Sequence, residues 1–149
     1  MQSNVIPRQI QLSSREPQKI LEALISDSCI PRDRFAPAVP VDVTDRGSLR
    51  SALLGADVVV SLVGIMHGSA EDFEKVQWKG AENVALCAKE HGAKLIHFSA
   101  IGADSKSQIA YARTKGLGEE AVRGVMPDAI IVRPSLVFGP EDDFFNVGI

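Results

Sequence analysis

Ser99-Ala-Ile-Gly-Ala-Asp-Ser-Lys-Ser-Gln-Ile-Ala-Tyr111-Ala-Arg-Thr-Lys115 follows directly on the apolar run that starts at Lys94. It holds the chain's single tyrosine, four residues ahead of a lysine. On a helix, residues at that spacing share a face. A lysine so placed can lower the pKa of the phenol and anchor a ribose hydroxyl, which is what a tyrosine general acid/base needs near neutral pH. The same spacing also describes a packing tyrosine beside a solvated lysine, so the neighbouring segments have to decide.

Those neighbours alternate between strand-like and helix-like patterns. Lys94 to Ser99 reads as a short buried strand, and Ser105 to Val125 as the helix after it. Upstream, Ala56 to Gly64 is a β-branched run closed by a glycine. Ala70 to His91 then carries Phe73, Val76, Val84, Ala85 and Ala88 at helical spacing, with Gly92 as a C-terminal stop. Downstream, Ala129 to Val132 is another apolar strand, broken by Arg133-Pro134. Strands separated by long helices require crossover connections and hence a parallel sheet. The expected fold is α/β, a doubly wound, Rossmann-like parallel sheet.

Composition is compatible with one such domain over 1–149. The 149 residues are 45% hydrophobic and 23% charged, enough to bury a core. A formal net charge of -3, with no Lys/Arg stripe, gives no basis for nucleic-acid binding. The longest strongly apolar run, Val58 to Met66, is too short to span a bilayer, so no transmembrane segment is expected. Cys29 and Cys87 are isolated and read as free buried thiols. His67, His91 and His97 lie on three different elements without companions at ligand spacing, so no metal site is expected.

Four motifs in this order resemble the atypical or extended short-chain dehydrogenase/reductase superfamily, from about Ile10 to Asn146. They are Asp42-Val43-Thr44-Asp45, Ser61-Leu62-Val63-Gly64, Tyr111 to Lys115, and Arg133-Pro134-Ser135-Leu136-Val137-Phe138-Gly139-Pro140. Three further runs, Val63 to Gly68, Gln77 to Asn83 and Gly139 to Asn146, resemble the branch that holds the accessory subunit of mitochondrial complex I and a fungal protein associated with coenzyme Q biosynthesis. The resemblance implies an NAD(P)-binding, epimerase/dehydratase-like unit acting as an accessory protein of respiratory complex I or of ubiquinone biosynthesis. It also implies a position on the matrix side of the mitochondrial inner membrane, with subunits of an inner-membrane complex as partners. No targeting peptide is visible in the sequence.

The same resemblance assigns roles to individual residues. Asp42 would accept from the adenine amino group with the backbone beside Val43 lining the ring; capping by Asp42 and Asp45 of a helix starting near Gly47 explains them equally. Leu62, Val63 and Gly64 form the loop against the cofactor, where Gly64 admits close backbone approach. Arg15 would meet the 2′-phosphate and favour NADP over NAD, with an exposed arginine at a helix start as the alternative. Ser99 would face the nicotinamide, and Pro134 would fix the backbone beside it or simply end a strand. Tyr111 and Lys115 are the catalytic pair if the chain turns over substrate.

Two departures temper that reading. Active extended members carry a Ser or Thr just beyond the serine that ends the strand, where this chain has Ala100 and Ile101. A degenerate site is therefore expected, with an active oxidoreductase or epimerase using Tyr111 and Lys115 as the alternative. The family's Gly-x-x-Gly-x-x-Gly pyrophosphate loop is also absent: the first glycine is Gly47. The expectation is an incomplete domain lacking its first strand, with 1–7 non-matching and 141–149 opening a truncated C-terminal region. Such a fragment could lack cofactor binding altogether. Either Ile10 to Ser13 moves in beside Val58 to Leu62, or the N-terminal third packs loosely.

Overall fold

The computed structural model describes residues 9–27 and 29–137. The end of the Arg133 to Pro140 motif, the whole of the Gly139 to Asn146 run, and Met1 to Pro7 lie outside the described residues. The described elements are β1 (Ser13–Ser14), α1 (Pro17–Asp27), β2 (Val39–Pro40), α2 (Arg46–Leu53), β3 (Val58–Ser61), α3 (Ala70–Phe73), α4 (Gly80–Glu90), β4 (Lys94–Phe98), α5 (Ala110–Val125) and β5 (Ile130–Val132). A short 3-10 turn, Arg32–Arg34, precedes β2, and a π-helical segment, Glu74–Lys79, joins α3 to α4.

The strands pair in parallel, as the crossover argument requires, but in two separate sheets. β3, β4 and β5 lie side by side in that order, with Val58 opposite Lys94 and Ile96 opposite Ile130. β1 pairs with β2, Ser13 opposite Val39, and a single bridge joins Ile10 to Phe35. No strand connects the two sheets among the described residues. The α/β class is thus borne out, and the sheet is incomplete over the part described.

The core lies between the β3–β4–β5 sheet and the helices α2, α4 and α5. Val59 and Leu95 from the sheet meet Leu49, Ala81, Val84, Ala85, Cys87, Ala88 and Val122 from the helices. A small residue on α5 lets it close on the π-helical segment: a Cβ on Gly118 would sit 2.5 Å from the carbonyl oxygen of Gln77. Fully burying a side chain the size of Val122 or Leu95 contributes about 1.5–3 kcal/mol, so this interface carries much of the stability.

Several expectations need correction. Ile10 to Ser13 does not move beside β3, because its backbone groups are taken up by Arg34 and by the β2 segment. The N-terminal third is tied down where Gln11 Nε2 donates to the Ala52 carbonyl (2.7 Å) and where Val41 and Val43 pack on the core. Among the described side chains of α1 only Leu21 is buried, while Ile20 and Leu24 stand exposed. α5 starts at Ala110 rather than Ser105, since Asp104 and Ser107 spend their side chains on the Lys106 and Ile109 N–H groups in turns that compete with helix. Cys29 is exposed, and only Cys87 is a buried thiol. Asp45 caps α2 through the Gly47 N–H, but Asp42 does not cap it: its Oδ1 accepts instead from the N–H and hydroxyl of Thr44.

Candidate functional site

The carboxyl ends of β3 and β4 converge on one side chain, that of Lys115. It is 5% exposed, and its ammonium donates to the carbonyl oxygens of Val63 and Phe98, both at 3.3 Å. An ammonium has three protons to donate, and the third finds no acceptor among the described residues. Burial pushes the Lys115 pKa down, and the Glu119 carboxylate, one turn along α5, works against that shift.

The side chains around Lys115 come from the helices packed over the sheet. The backbone of Gly64 passes so close that a Cβ there would lie 3.1 Å from Lys115 Nζ and 3.4 Å from Gln77 Oε1. Gln77, brought inward by the π-helical segment, donates to Thr114 Oγ1 (3.1 Å), which in turn donates to the Ala110 carbonyl (2.8 Å). Tyr111 is half-buried one turn before Lys115, its ring edge-on to that of Phe73 at 6.3 Å. Lys115 thus sits at the sheet's carboxyl edge, with Tyr111 one turn before it on α5 and packed on Phe73.

Ser99 is buried at the end of β4, and its N–H donates to Val132 while that of Ile101 donates to Pro134. The loop beyond β4 thus runs on as a ladder beside β5, and Pro134 shapes its far wall. Ala100 is half-buried and Ile101 exposed, so neither offers a hydroxyl to that loop. Leu62 is 70% exposed and Val63 half-buried beside Gly64.

Asp42, Val43 and Arg15 lie at the end of the other sheet. The hydroxyl and N–H of Thr44 hold the Asp42 carboxyl below its usual pKa, with a smaller contribution from the positive charge of Arg15. Val43 packs beneath Gly80, and its carbonyl accepts from Asn83 Nδ2. Arg15 borders a surface cleft of about 870 Å³ shared with Ser14, Glu16, Lys19, Ile20, Ala23 and Leu24.

Apart from Ser99, sequence reasoning missed the buried polar groups behind Lys115. Ser61 and His97 are register partners on the covered face of the sheet, two residues before the position of Ser99 on that face. Both nitrogens of His97 and the hydroxyls of Ser61 and Ser99 lack hydrogen bonds among the described residues. Burial drops the His97 pKa to about 4, the Lys115 charge adding to the shift and Glu119 opposing it. Glu119, 2% exposed, receives Arg133 through two bonds of 2.8 and 2.7 Å. Burial would raise the Glu119 pKa, but that pair, aided by Ser99 and Arg123, leaves it lowered. Ser99 Oγ faces this carboxylate closely enough to act on its charge without the alignment of a hydrogen bond. The alternation Leu95, His97, Ser99 was the available signal for this cluster.

No family model matches the chain. It is 41% identical over 107 residues to NADH dehydrogenase (ubiquinone) 1 alpha subcomplex subunit 9, mitochondrial, of Rattus norvegicus, covering 70% of this chain and 28% of that protein. It is 35% identical over 112 residues to the ceramide reductase of Caulobacter vibrioides, covering 74% of this chain and 35% of that protein. The chain therefore spans about a third or less of the length of these relatives. Among solved structures, the dTDP-4-dehydrorhamnose reductase of Bacillus anthracis in complex with NADP superimposes with a TM-score of 0.64 at 15% identity, over 89% of this chain and 55% of that one. The chain has the fold of that NADP-bound reductase, and the curated relatives give its family. Its particular kin are the mitochondrial complex I subunits of the alpha-subcomplex-9 kind, which bear out the mitochondrial reading of the sequence.

Proposed function

We propose that this chain is the nicotinamide-dinucleotide-holding part of a mitochondrial accessory protein of respiratory complex I, positioned at the matrix side of the inner membrane. The observation that carries the reading is Lys115, whose ammonium is fixed by two strand-end carbonyls with one proton left to donate. A ribose hydroxyl can accept that proton, with Tyr111 one turn away on the same helix. Gly64 leaves room for the dinucleotide where a Cβ would meet the lysine. Asp42, with Oδ2 free of hydrogen bonds among the described residues, and the backbone at Val43 would receive the adenine. Leu62 and Val63 would line the path between, and Ser99 and Pro134 would border the nicotinamide. Arg15, exposed beside its cleft, would meet a 2′-phosphate and favour NADP.

When bound, a nicotinamide supplies hydride-transfer chemistry. The chain's own residues bind and orient it, while Ala100 and Ile101 leave the relay to a substrate carbonyl without a hydroxyl. This supports a holding role with a degenerate site. The relatives point to complex I rather than to ubiquinone synthesis. A second reading, an active reductase using Tyr111 and Lys115, is favoured by the ceramide reductase relative.

Calorimetric titration with NADPH and NADH tests the proposal. Binding is expected for the unaltered chain, and Lys115→Met is expected to weaken it by about tenfold or more, the size of a lost charge-assisted hydrogen bond. No binding at millimolar cofactor would overturn the reading. Where binding is seen, turnover abolished by Tyr111→Phe would favour the reductase over the holding role.

A further inference from the structure

Lys115 poses an electrostatic problem that the strand-end carbonyls alone do not solve. A buried ammonium loses its hydration, and a neutral amine would escape that cost. The groups facing it are few and can be named element by element. β3 and the loop after it offer Ser61 and the Val63 carbonyl, and β4 offers His97, Ser99 and the Phe98 carbonyl. The π-helical segment offers Gln77, which is uncharged, and α5 offers Tyr111 and Glu119, with Arg123 acting on the Glu119 charge. Directly after β5 comes Arg133, whose charge is committed to Glu119. His97 is neutral around pH 7. The single anion in this set is the Glu119 carboxylate.

We propose that Glu119 is a positioning residue for Lys115: clasped by Arg133 and turned toward Ser99, its carboxylate is the counter-charge that keeps the Lys115 ammonium a three-proton donor at the carboxyl edge of the sheet. Its place on α5 supports this. Positions four apart on a helix are neighbours, and both side chains are almost fully covered, so little water screens them. Arg133, with 47% of its side chain exposed, holds the carboxylate from the outside. It fixes the geometry while its own charge lies toward solvent. The consequence for cofactor holding rests on the function proposed above, whereas the coupling between Glu119 and Lys115 belongs to the free chain.

The test follows the Lys115 side chain by NMR in the full chain with labelled lysine, titrated from about neutral pH to about pH 11, with Lys115→Met identifying its signal. Glu119→Gln removes both the ion pair and the charge, and the Lys115 midpoint is expected to fall. Arg133→Gln breaks the same ion pair but keeps the carboxylate, and the midpoint is expected not to fall. A merely structural clasp would give the same response in both, so a fall in both, or in neither, overturns the proposal. Should Glu119→Gln lose its fold, Glu119→Asp replaces it, and a fall in either charge-keeping variant is then the overturning result. Parallel NADPH titration separates the two ideas: the expected midpoints without cofactor binding would support the coupling and sink the holding function.

Discussion

His97 shows how one buried side chain can set the acid limit of the fold. Its nitrogens have no hydrogen-bond partner among the described residues, and the folded state keeps it neutral down to about pH 4, whereas in the unfolded chain it protonates near 6.5. The unfolded state therefore binds the extra proton between those values, and stability must fall as pH drops through that window. The loss amounts to at most about 3 kcal/mol. Urea unfolding at a series of pH values is expected to show this slope, and His97→Phe is expected to flatten it. The chain itself announced Tyr111 and Lys115 through their spacing, because four residues on a helix is a geometric fact. It did not announce Glu119, since Glu119 and Glu120 are neighbours of one chemistry and only the packed helix shows which of them is buried. Gln77 was equally hidden: a polar residue between Val76 and Trp78 reads as a surface position until the helix is seen to widen there.

At the scale of elements, α5 is held against its neighbours by the absence of side chains. A Cβ on Gly116 would lie 2.3 Å from the Ser105 nitrogen, and backbone cannot step aside as a flexible side chain can. Gly116→Ala is expected to cost about 1–3 kcal/mol or more. Gly124, on the same helix, has nothing within 4 Å of the corresponding position. There the alanine is expected to stabilise by about 0.5–1 kcal/mol through helix propensity. Thermal melts of the two variants, moving in opposite directions, check both. The elements themselves were legible to within a few residues wherever apolar periodicity was unbroken, as in β4, β5 and α4. The start of α5 was not, because Asp104 and Ser107 support turns as readily as caps. Nor was the narrow extent of β1 and β2, whose segments carry little alternation to read.

For the whole molecule, the two-sheet arrangement leaves one face of β3–β4–β5 without a covering layer among the described residues. Val60 is 52% and Ile130 58% exposed on that face, and β3 has an unpaired edge there. Apolar strand edges of this kind template association. Sedimentation velocity is expected to show self-association that grows with concentration, and Val60→Lys is expected to shift the chain toward monomer without lowering its helix content. Parallel pairing was legible from the long crossovers; the separation of the sheets was not, since pairing partners depend on what lies beside each strand. The π-helical segment Glu74–Lys79 carries a last implication. Deleting a single residue from it would leave an unbroken α-helix, yet would turn everything before it by about 100°, sweeping Phe73 off the Tyr111 ring. That one surplus residue is the gear that times the two aromatic rings to meet, and a shortened segment would keep every hydrogen bond of a good helix while losing the alignment.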